Sequence, residues 1–383
     1  MRIIDLCLRT VPISRYADPA LPSGGLNTTL VALATDVVVD GAPVVGYGFT
    51  SFGRFGQEGL IRERFGPRLM AASFDDGLDP LAAWAAMMAG EKPGGHGERC
   101  VAVGALDMAV WDAAAKCAGL PLYRYLARRL GRAEPAGSVA VYAGGGYDYP
   151  TDDLRRLADE CRALLDLGYT QIKIKIAAQP LAADLRRIET VLALLPGGQH
   201  LAVDAMNRYS PDAALAAGRA LAGYGLRWFE DFCDPLDFDA HAALAAEYGP
   251  PLAAGEALFS LADARNLLRY GGLRPERDVL LFDPAHTYGL PEYSRIVDLY
   301  EAAGWPRSAF QPHGGHLFSL HVAAALGLGG SEANPLSFQP FGGFSDELPV
   351  AGGRATLPQA PGIGFETRAG VGKLFREVAG ATT

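Results

Sequence analysis

Charged side chains recur at the ends of successive short apolar segments in the second half of this 383-residue chain. In chain order they are Lys173 and Lys175, Asp204, Glu230, Glu256, Asp283, and His313. If these segments are strands of one parallel barrel, their carboxyl ends lie together, and that end is where barrel enzymes carry their chemistry. One such residue would mean little, but six successive segments predict an active site.

Three consecutive segments end in a carboxylate: Asp204, Glu230 and Glu256. Neighbouring barrel strands lie about 5 Å apart, so three carboxylates at one level converge near a single point. Like charges that close repel unless a cation lies among them, and an all-oxygen set suits Mg²⁺. The competing interpretation, that they cap the following helices, is weaker because N-caps rarely fall on a strand's last residue.

The Lys173-Ile-Lys175 segment points both lysines to the same side of its strand, because side chains alternate along a strand. Each ammonium group disfavours the charge of the other, so we expect one of them to act as a base near neutral pH. The alternative is a solvated pair on an edge strand, which parallel barrel strands do not have.

Asp283 and His313 end the next two segments, and strand adjacency lets the carboxylate orient the imidazole and hold its proton. His313 lies in Gln-Pro-His-Gly-Gly-His, whose glycines leave space beside the ring. We expect His316, at the end of that run, to be a structural residue of the next helix.

These segments alternate with alanine- and leucine-rich helical patterns, such as residues 152–167 and 181–195. Strands separated by helices indicate parallel βαβ units, and seven or eight of them over about 200 residues favour a closed barrel. The predicted barrel strands are residues 139–142, 171–176, 201–203, 227–229, 252–254, 279–282 and 309–311.

The N-terminal region has a different pattern: three predicted strands, residues 2–11, 26–39 and 44–49, precede a helix at residues 99–118. The tail after Gly330 is rich in glycine, proline and aromatic residues, and its aromatics need burial. The chain is therefore predicted to be an α/β protein. Residues 1–135 form an α+β capping domain, residues 136–335 a TIM-like (β/α)7β barrel, and residues 336–383 a segment that packs back on the capping domain.

Composition excludes several classes of protein. With 49% hydrophobic and 20% charged residues the chain is a folded protein throughout, and a net charge of −9 with scattered basic residues argues against a nucleic-acid partner. The start of the chain lacks a signal peptide and no apolar run is long enough to span a membrane, so we expect a cytoplasmic protein with no membrane partner. Five single cysteines predict neither disulfides nor a zinc site.

The Lys-x-Lys pair, the three carboxylates and the Asp/His pair, in that order, resemble the mandelate racemase group of the enolase superfamily. Residues 91–99, 107–112 and 266–272 and the His313 segment resemble the D-tartrate dehydratases within it. This resemblance implies a lyase, specifically a hydro-lyase, with Mg²⁺ as cofactor and a small hydroxy-carboxylate as substrate. We also expect a homo-oligomer.

The resemblance also implies roles for individual residues. Asp204, Glu230 and Glu256 would bind Mg²⁺, Lys175 would remove the proton α to a substrate carboxylate, and His313, oriented by Asp283, would protonate the departing hydroxyl. The positions expected to contact substrate are Lys173, Lys92, Tyr149 and Glu332.

This sequence departs from the family pattern beside two metal positions, where Met206 and Ala257 stand in place of the usual asparagines. Asp231 likewise follows Glu230 where a second glutamate is usual, so the support of the metal ligands is altered. In the capping domain, Phe52 lies in a stretch that is usually more polar, which puts the substrate in question more than the reaction class.

Three functions stay open at this point. The first is dehydration of an acid sugar or a 2,3-dihydroxy acid, with tartrate the nearest candidate, to give a 2-keto acid. The second is racemisation or epimerisation of a 2-hydroxy acid on the same residues. The third is a catalytically silent barrel used as a binding scaffold.

Overall fold

A three-stranded antiparallel meander begins the chain in the computed structural model, which describes residues 1–53, 55–75 and 77–380. Its strands are β1 (Ile3–Pro12), β2 (Asn27–Val39) and β3 (Ala42–Phe49). Asp40 and Gly41 form the tight turn between β2 and β3, and both have positive φ, which aspartate and glycine tolerate. This is the meander that the sequence predicts.

Helices cover one face of the meander, and α4 is the largest of them. They are α1 (Gln57–Leu60), α2 (Gly66–Met70), α3 (Pro80–Met88), α4 (Glu98–Cys117) and α5 (Leu122–Arg129), with a π-helical turn, Ile61–Phe65, between α1 and α2. Glycine lets β3 lie directly on the backbone of α4: a Cβ at Gly46 would stand 2.0 Å from the Ala109 carbonyl oxygen, and one at Gly48 2.2 Å from that of Ala105. The predicted helix at 99–118 is thus the centre of the capping domain.

Six parallel strands, each followed by a helix, form the body of the barrel. The strands are β4 (Ser138–Gly145), β5 (Ile172–Lys175), β6 (Leu201–Asp204), β7 (Trp228–Glu230), β8 (Leu252–Ala254) and β9 (Val279–Leu280). The helices are α6 (Asp153–Asp166), α7 (Leu181–Leu192), α8 (Pro211–Leu221), α9 (Phe238–Glu247), α10 (Leu261–Tyr270) and α11 (Leu290–Ala302). Helix α6 is an example of how these helices pack: its buried residues recur at helical spacing, on the face turned to the strands.

The barrel closes through one bridging residue and a final short strand. Phe310 makes a single parallel bridge to Leu280, and Pro312, which has no N–H to donate, ends that pairing. The strand predicted at 309–311 is therefore reduced to one bridge. After α12 (Leu317–Leu326), strand β10 (Ser331–Ala333) pairs with β4 and completes the circle.

The sequence analysis assigned no strand to residues 331–333, and this was wrong. The Ser-Glu-Ala sequence lacks the β-branched and aromatic residues that are typical of strands. The segment is extended because it pairs with β4, not because of its local propensity. The rest of the tail divides between the two units. The hairpin of β11 (Val350–Ala351) and β12 (Arg354–Thr356) adds to β4, while α13 (Ala369–Ala379) packs on β2.

In the described part of the chain none of the five cysteines forms a disulfide. Across the part of the chain that the structure describes, no helix combines the length and the apolar character needed to cross a bilayer.

Helix α4 also joins the capping domain to the loop that follows β9. A Cβ at Gly104 would lie 2.0 Å from the Ala285 carbonyl oxygen, so only glycine permits this contact. Three residues further along α4, the fully buried Asp107 carboxylate accepts a hydrogen bond of 2.7 Å from the Leu290 N–H at the start of α11. Burial raises the pKa of Asp107 well above its ordinary value, against the effect of the Leu290 hydrogen bond.

The raised pKa of Asp107 predicts how stability depends on pH. A carboxyl whose pKa is higher in the folded state contributes stability that is complete below its unfolded pKa of about 4 and is lost as the pH rises through the folded value. Asp107→Asn should remove this loss. The free energy of unfolding of the variant minus that of the wild type should therefore increase as the pH rises. The slope is at most about 1.4 kcal/mol per pH unit.

Urea unfolding at pH 5, 7 and 9 measures this difference. Asp159→Asn, at an exposed position on α6, is the matched control that removes the same charge from the surface. A stability difference between Asp107→Asn and wild type that stays constant with pH would contradict the prediction.

Candidate active site

Strand register places three of the expected site residues in one row. Lys175 on β5 is the register partner of Asp204 on β6, which is in turn the partner of Glu230 on β7. The row below contains Lys173, Ala202 and Trp228, which are also register partners. Since side chains two residues apart point to the same side, both rows face the barrel interior.

Glu256 completes a cluster of three carboxylates. It lies two residues beyond the end of β8, after Gly255, whose φ of 126° turns the chain. One oxygen from each of Asp204, Glu230 and Glu256 lies within 4.8 Å of the others. Glu256 Oε2 is buried and accepts no hydrogen bond within the described residues. An oxygen-only set with an unsatisfied buried acceptor fits a hard divalent cation such as Mg²⁺.

Neighbouring groups orient two of these carboxylates. The Trp228 indole N–H donates to Glu230 Oε2 at 2.7 Å, and the backbone N–H of Met206 donates to Asp204 Oδ1 at 2.7 Å. The substitution of Met206 for the usual asparagine therefore leaves a backbone donor on the ligand. Asn207 instead donates its amide to Asp231 Oδ2 at 3.1 Å, which ties the loop after β6 to the loop after β7.

Both lysines pair with the carboxylates. Lys175 forms a close ion pair with Asp204, and Lys173 forms one with Glu230 and another with Glu332 at 3.0 Å. Burial disfavours the ammonium form of Lys175, but Asp204, with smaller contributions from Tyr147 and Glu256, raises the pKa of Lys175 above its ordinary value. Lys173 lowers the pKa of Lys175, in the direction that the sequence analysis expects, but Asp204 acts on Lys175 more strongly than Lys173 does.

Asp283 and His313 form the expected pair. His313 Nδ1 lies 2.8 Å from Asp283 Oδ2, and its Nε2 lies 3.5 Å from Glu256 Oε2. Burial opposes the imidazolium, but Glu256, Glu332 and the hydrogen bond to Asp283 together raise the pKa of His313 to about 9. Asp283 is itself held by the Ala285 backbone N–H at 2.6 Å. The ring is thus fixed with one nitrogen on a buried carboxylate and the other toward the metal cluster.

A second imidazole, which the sequence analysis missed, shares this carboxylate. His286 Nδ1 lies 3.4 Å from Asp283 Oδ2, and its ring centroid lies 5.6 Å from that of His313. His286 also lines the cavity described next. Its position three residues after Asp283 was the available signal, but a histidine in a loop gives no indication of the direction in which its ring points.

A cavity of about 220 Å³ lies between this cluster and the capping domain. Lys175, Glu256, His313 and Glu332 line its barrel side, and its other walls are mostly aromatic and apolar. Of the expected substrate contacts, Glu332 thus borders the cavity, while Lys173 lies buried beneath it among its ion pairs.

Two other expected contacts are not among the described residues that line this cavity. Tyr149 turns outward because its hydroxyl donates to Glu160 on α6 at 2.9 Å, and Tyr147, two residues earlier, borders the cavity instead. Lys92 is exposed, in a loop whose carbonyl groups accept hydrogen bonds from Arg99. The sequence pattern could not distinguish Tyr147 from Tyr149, because both follow β4 in an irregular segment.

Residues 156–371 match the family described as enolase C-terminal domain-like. The chain belongs to this family. It is 28% identical over 289 residues to the arabinonate dehydratase of Saccharolobus solfataricus, an alignment that covers 74% of each chain. It is 31% identical over 274 residues to the 3,6-anhydro-alpha-L-galactonate cycloisomerase of Streptomyces coelicolor, covering 71% of this chain and 70% of that relative.

Solved structures agree with this assignment. The L-talarate dehydratase of Polaromonas sp. JS666, in complex with Mg and L-glucarate, superposes with a TM-score of 0.75 at 27% identity and covers 95% of this chain and 94% of its own. Its complex with magnesium and an acid sugar agrees with the cofactor and the type of ligand that the sequence predicts. Membership of the enolase superfamily and the barrel with its capping domain are confirmed, whereas the likeness to tartrate dehydratases stays a prediction.

The contact between Trp228 and Glu230 predicts a change in metal affinity. Trp228→Phe keeps the ring but removes the N–H that orients Glu230, so affinity for Mg²⁺ should fall about 10-fold, the lower end of the effect of such supporting hydrogen bonds. Calorimetric titration with Mg²⁺ measures this. Trp84→Phe is the matched control, because Trp84 on α3 donates an equal hydrogen bond of 2.7 Å to the Tyr288 carbonyl oxygen, in the loop between β9 and α11. Equal Mg²⁺ affinities in the two variants would refute the assigned role.

Proposed function

We propose that this protein is a Mg²⁺-dependent hydro-lyase that dehydrates an acid sugar or other 2,3-dihydroxy acid, tartrate among the candidates, to a 2-keto acid. The observation that carries the proposal is the arrangement around the carboxylate cluster. Lys175 contacts Asp204 at one side of the cluster, His313 contacts Glu256 at the other, and both lysine and histidine border one cavity. A base and an acid thus flank the point where a substrate carboxylate would be held.

Asp204, Glu230 and Glu256 are the residues that would bind the Mg²⁺. When bound, the cation supplies Lewis-acid stabilisation of the negative charge that develops on the substrate carboxylate as the α-proton leaves. The residues' own contribution is orientation, since Trp228 and Met206 fix two of the three carboxylates before substrate arrives.

Lys175 is assigned the removal of the α-proton. Its Nζ faces the cavity beside the metal cluster, and its ion pair with Asp204 defines where the amine stands. Asp204, when engaged as a metal ligand, would hold the ammonium form of Lys175 less strongly, and this would favour the neutral amine that a base requires. Lys173, buried beneath, adds positive charge close to the developing enediolate.

His313 is assigned the donation of a proton to the departing 3-hydroxyl. Its Nδ1 is engaged by Asp283, which leaves Nε2 as the nitrogen that faces the reaction space. The C3–O bond breaks, and the hydroxyl leaves as water with the proton from His313. The resulting enol gains a proton at C3 and loses one from its 2-hydroxyl group to become the 2-keto acid. The α-proton that Lys175 took and the proton that His313 gave balance over the cycle.

Racemisation remains the second candidate, because the same observation, a lysine and a histidine that border one cavity, would allow proton exchange on two faces of an α-carbon. A leaving hydroxyl at C3 distinguishes the two reactions. With it, protonation by His313 leads to elimination, and without it the α-carbon is reprotonated.

A screen of acid sugars tests the proposed function. We expect 2-keto acid formation, detected with semicarbazide, that is abolished by chelation and restored by Mg²⁺. Glu230→Gln should lose Mg²⁺ binding in calorimetry while its circular dichroism stays that of wild type. Turnover that persists after chelation would contradict the dependence on Mg²⁺. Undiminished Mg²⁺ affinity in Glu230→Gln would show that the metal site is assigned to the wrong residues.

Solvent exchange separates the base from the acid, because the two residues act on different bonds. In deuterated water Lys175→Ala should neither form product nor exchange the α-hydrogen. His313→Asn should form no product, with a loss of at least about 100-fold, yet should retain exchange because Lys175 still removes and returns the proton. Nuclear magnetic resonance of recovered substrate measures this exchange.

Both enantiomers of any active acid should be supplied to both variants. Exchange in Lys175→Ala would exclude Lys175 as the base. Exchange in His313→Asn that occurs with only one enantiomer of a substrate without a 3-hydroxyl would support the racemase instead.

A further inference from the structure

The loop between β1 and β2 carries Arg15 to the far side of the active-site cavity. Several hydrogen bonds fix this loop. Ser14 and Ser23 join their hydroxyl groups across it at 2.8 Å, and the Arg15 backbone N–H donates to the Ser23 hydroxyl at 3.0 Å. The position of Arg15 is therefore set by the loop's own bonding.

Two further bonds tie the same loop to segments outside the capping domain's meander. The Tyr16 hydroxyl donates to the Asp148 carbonyl oxygen, in the loop that follows β4, at 2.5 Å. The Phe338 backbone N–H donates to the Ser14 carbonyl oxygen at 2.7 Å. Arg15 thus stands at a defined place relative to the barrel, which is the precondition for a specific ligand contact.

The guanidinium of Arg15 has N–H donors that no acceptor among the described residues engages. Within the described residues its side chain donates one hydrogen bond, from a terminal nitrogen to the Ser23 carbonyl oxygen at 3.3 Å, and its buried Nε has no acceptor there. Among the described residues no carboxylate lies within ion-pair distance of it. A guanidinium presents five donors in a planar fork that matches a carboxylate, so a half-buried arginine without an acidic neighbour is suited to an external anion.

The distance from Arg15 to Lys175 limits the length of a ligand that could contact both residues. The guanidinium lies 5.2 Å from the centroid of the Tyr147 ring, and Lys175 Nζ lies 5.5 Å from the same centroid. The two cations are therefore within about 11 Å of each other by these two distances. Phe52 and Phe338, stacked with centroids 4.3 Å apart, form an aromatic wall of the cavity that offers no charge.

We propose that Arg15 binds a second carboxylate, at the end of the substrate remote from the reacting carbons, so that the preferred substrate is a dicarboxylic acid sugar. This rests on the proposed function for the reacting end, but it concerns the other end of the same cavity. The first carboxylate and the adjacent hydroxyl face the carboxylate cluster and Lys175, the carbon chain lies along the aromatic wall, and the second carboxylate pairs with the guanidinium.

Matched pairs of acids test this, because each pair differs only in a terminal –COO⁻ or –CH₂OH. Galactarate with galactonate, and tartrate with threonate of the same configuration, cover two chain lengths. The Mg²⁺-loaded Lys175→Ala variant provides a background without turnover, in which calorimetry should show tighter binding of the dicarboxylate in at least one pair, by about 10- to 100-fold, the range of a hydrogen bond to a charged group. Arg15→Gln in that background should abolish the preference and leave monocarboxylate binding unchanged.

Two controls sharpen the result. Arg15→Lys, which retains charge but not the fork, should retain part of the preference. Arg162→Gln removes an exposed arginine on α6 and should leave all four affinities as they were. In the Lys175-containing enzyme, Arg15→Gln should raise KM for the dicarboxylate more than it lowers kcat.

The outcomes separate this inference from the proposed function. If no acid gives a keto acid but the binding preference for dicarboxylates still depends on Arg15, the dehydratase proposal is refuted and the dicarboxylate site is supported. A preference that survives Arg15→Gln, equal binding within both pairs, or no binding of any of the four acids at millimolar concentration would overturn the assignment of Arg15.

Discussion

Mutual repulsion among buried carboxylates is the constraint on which this active site depends. Asp204, Glu230 and Glu256 bring oxygens within 4.8 Å of one another, and burial with the charges of its neighbours raises the pKa of Glu230 to about 8 against the opposing effect of Lys173. Such a cluster is stable only with cations among or beside it. The two buried lysines supply part of that charge, and the remaining oxygen, on Glu256, is left for a metal ion.

The rigidity of the cluster comes from strand register. Lys175, Asp204 and Glu230 occupy one row because β5, β6 and β7 pair without a shift, and Trp228 stands in the row below to orient Glu230. The acid side of the site is built differently, from loops. Asp283 lies beyond the end of β9 and is held by the Ala285 N–H, in a loop pressed against α4 at Gly104. The capping domain therefore lines one side of the cavity and also helps to fix His313, through the loop that carries Asp283.

This division assigns separate tasks to the two units. The barrel contributes the groups that act on the bonds, whereas the capping domain and the tail contribute Arg15, Phe52 and Phe338 to the opposite side of the cavity. Loops on a rigid scaffold can vary without disturbing the buried charges, so one set of reacting groups suits many acids. Departures from the family pattern at Met206 and Phe52 lie on the cavity walls, and the charged row beneath them is complete.

The sequence by itself determined the barrel and which side chains end its strands. Period-two alternation and the βαβ order are local signals, and they were sufficient for Lys173, Lys175, Asp204 and Glu230. Tertiary structure alone decided which loop residues face the cavity, because contacts between distant segments direct them. A bond from Tyr149 to Glu160 turns that ring away in favour of Tyr147, and bonds from Tyr16 and Phe338 fix the loop of Arg15. The closing strand β10 is extended only because β4 lies beside it.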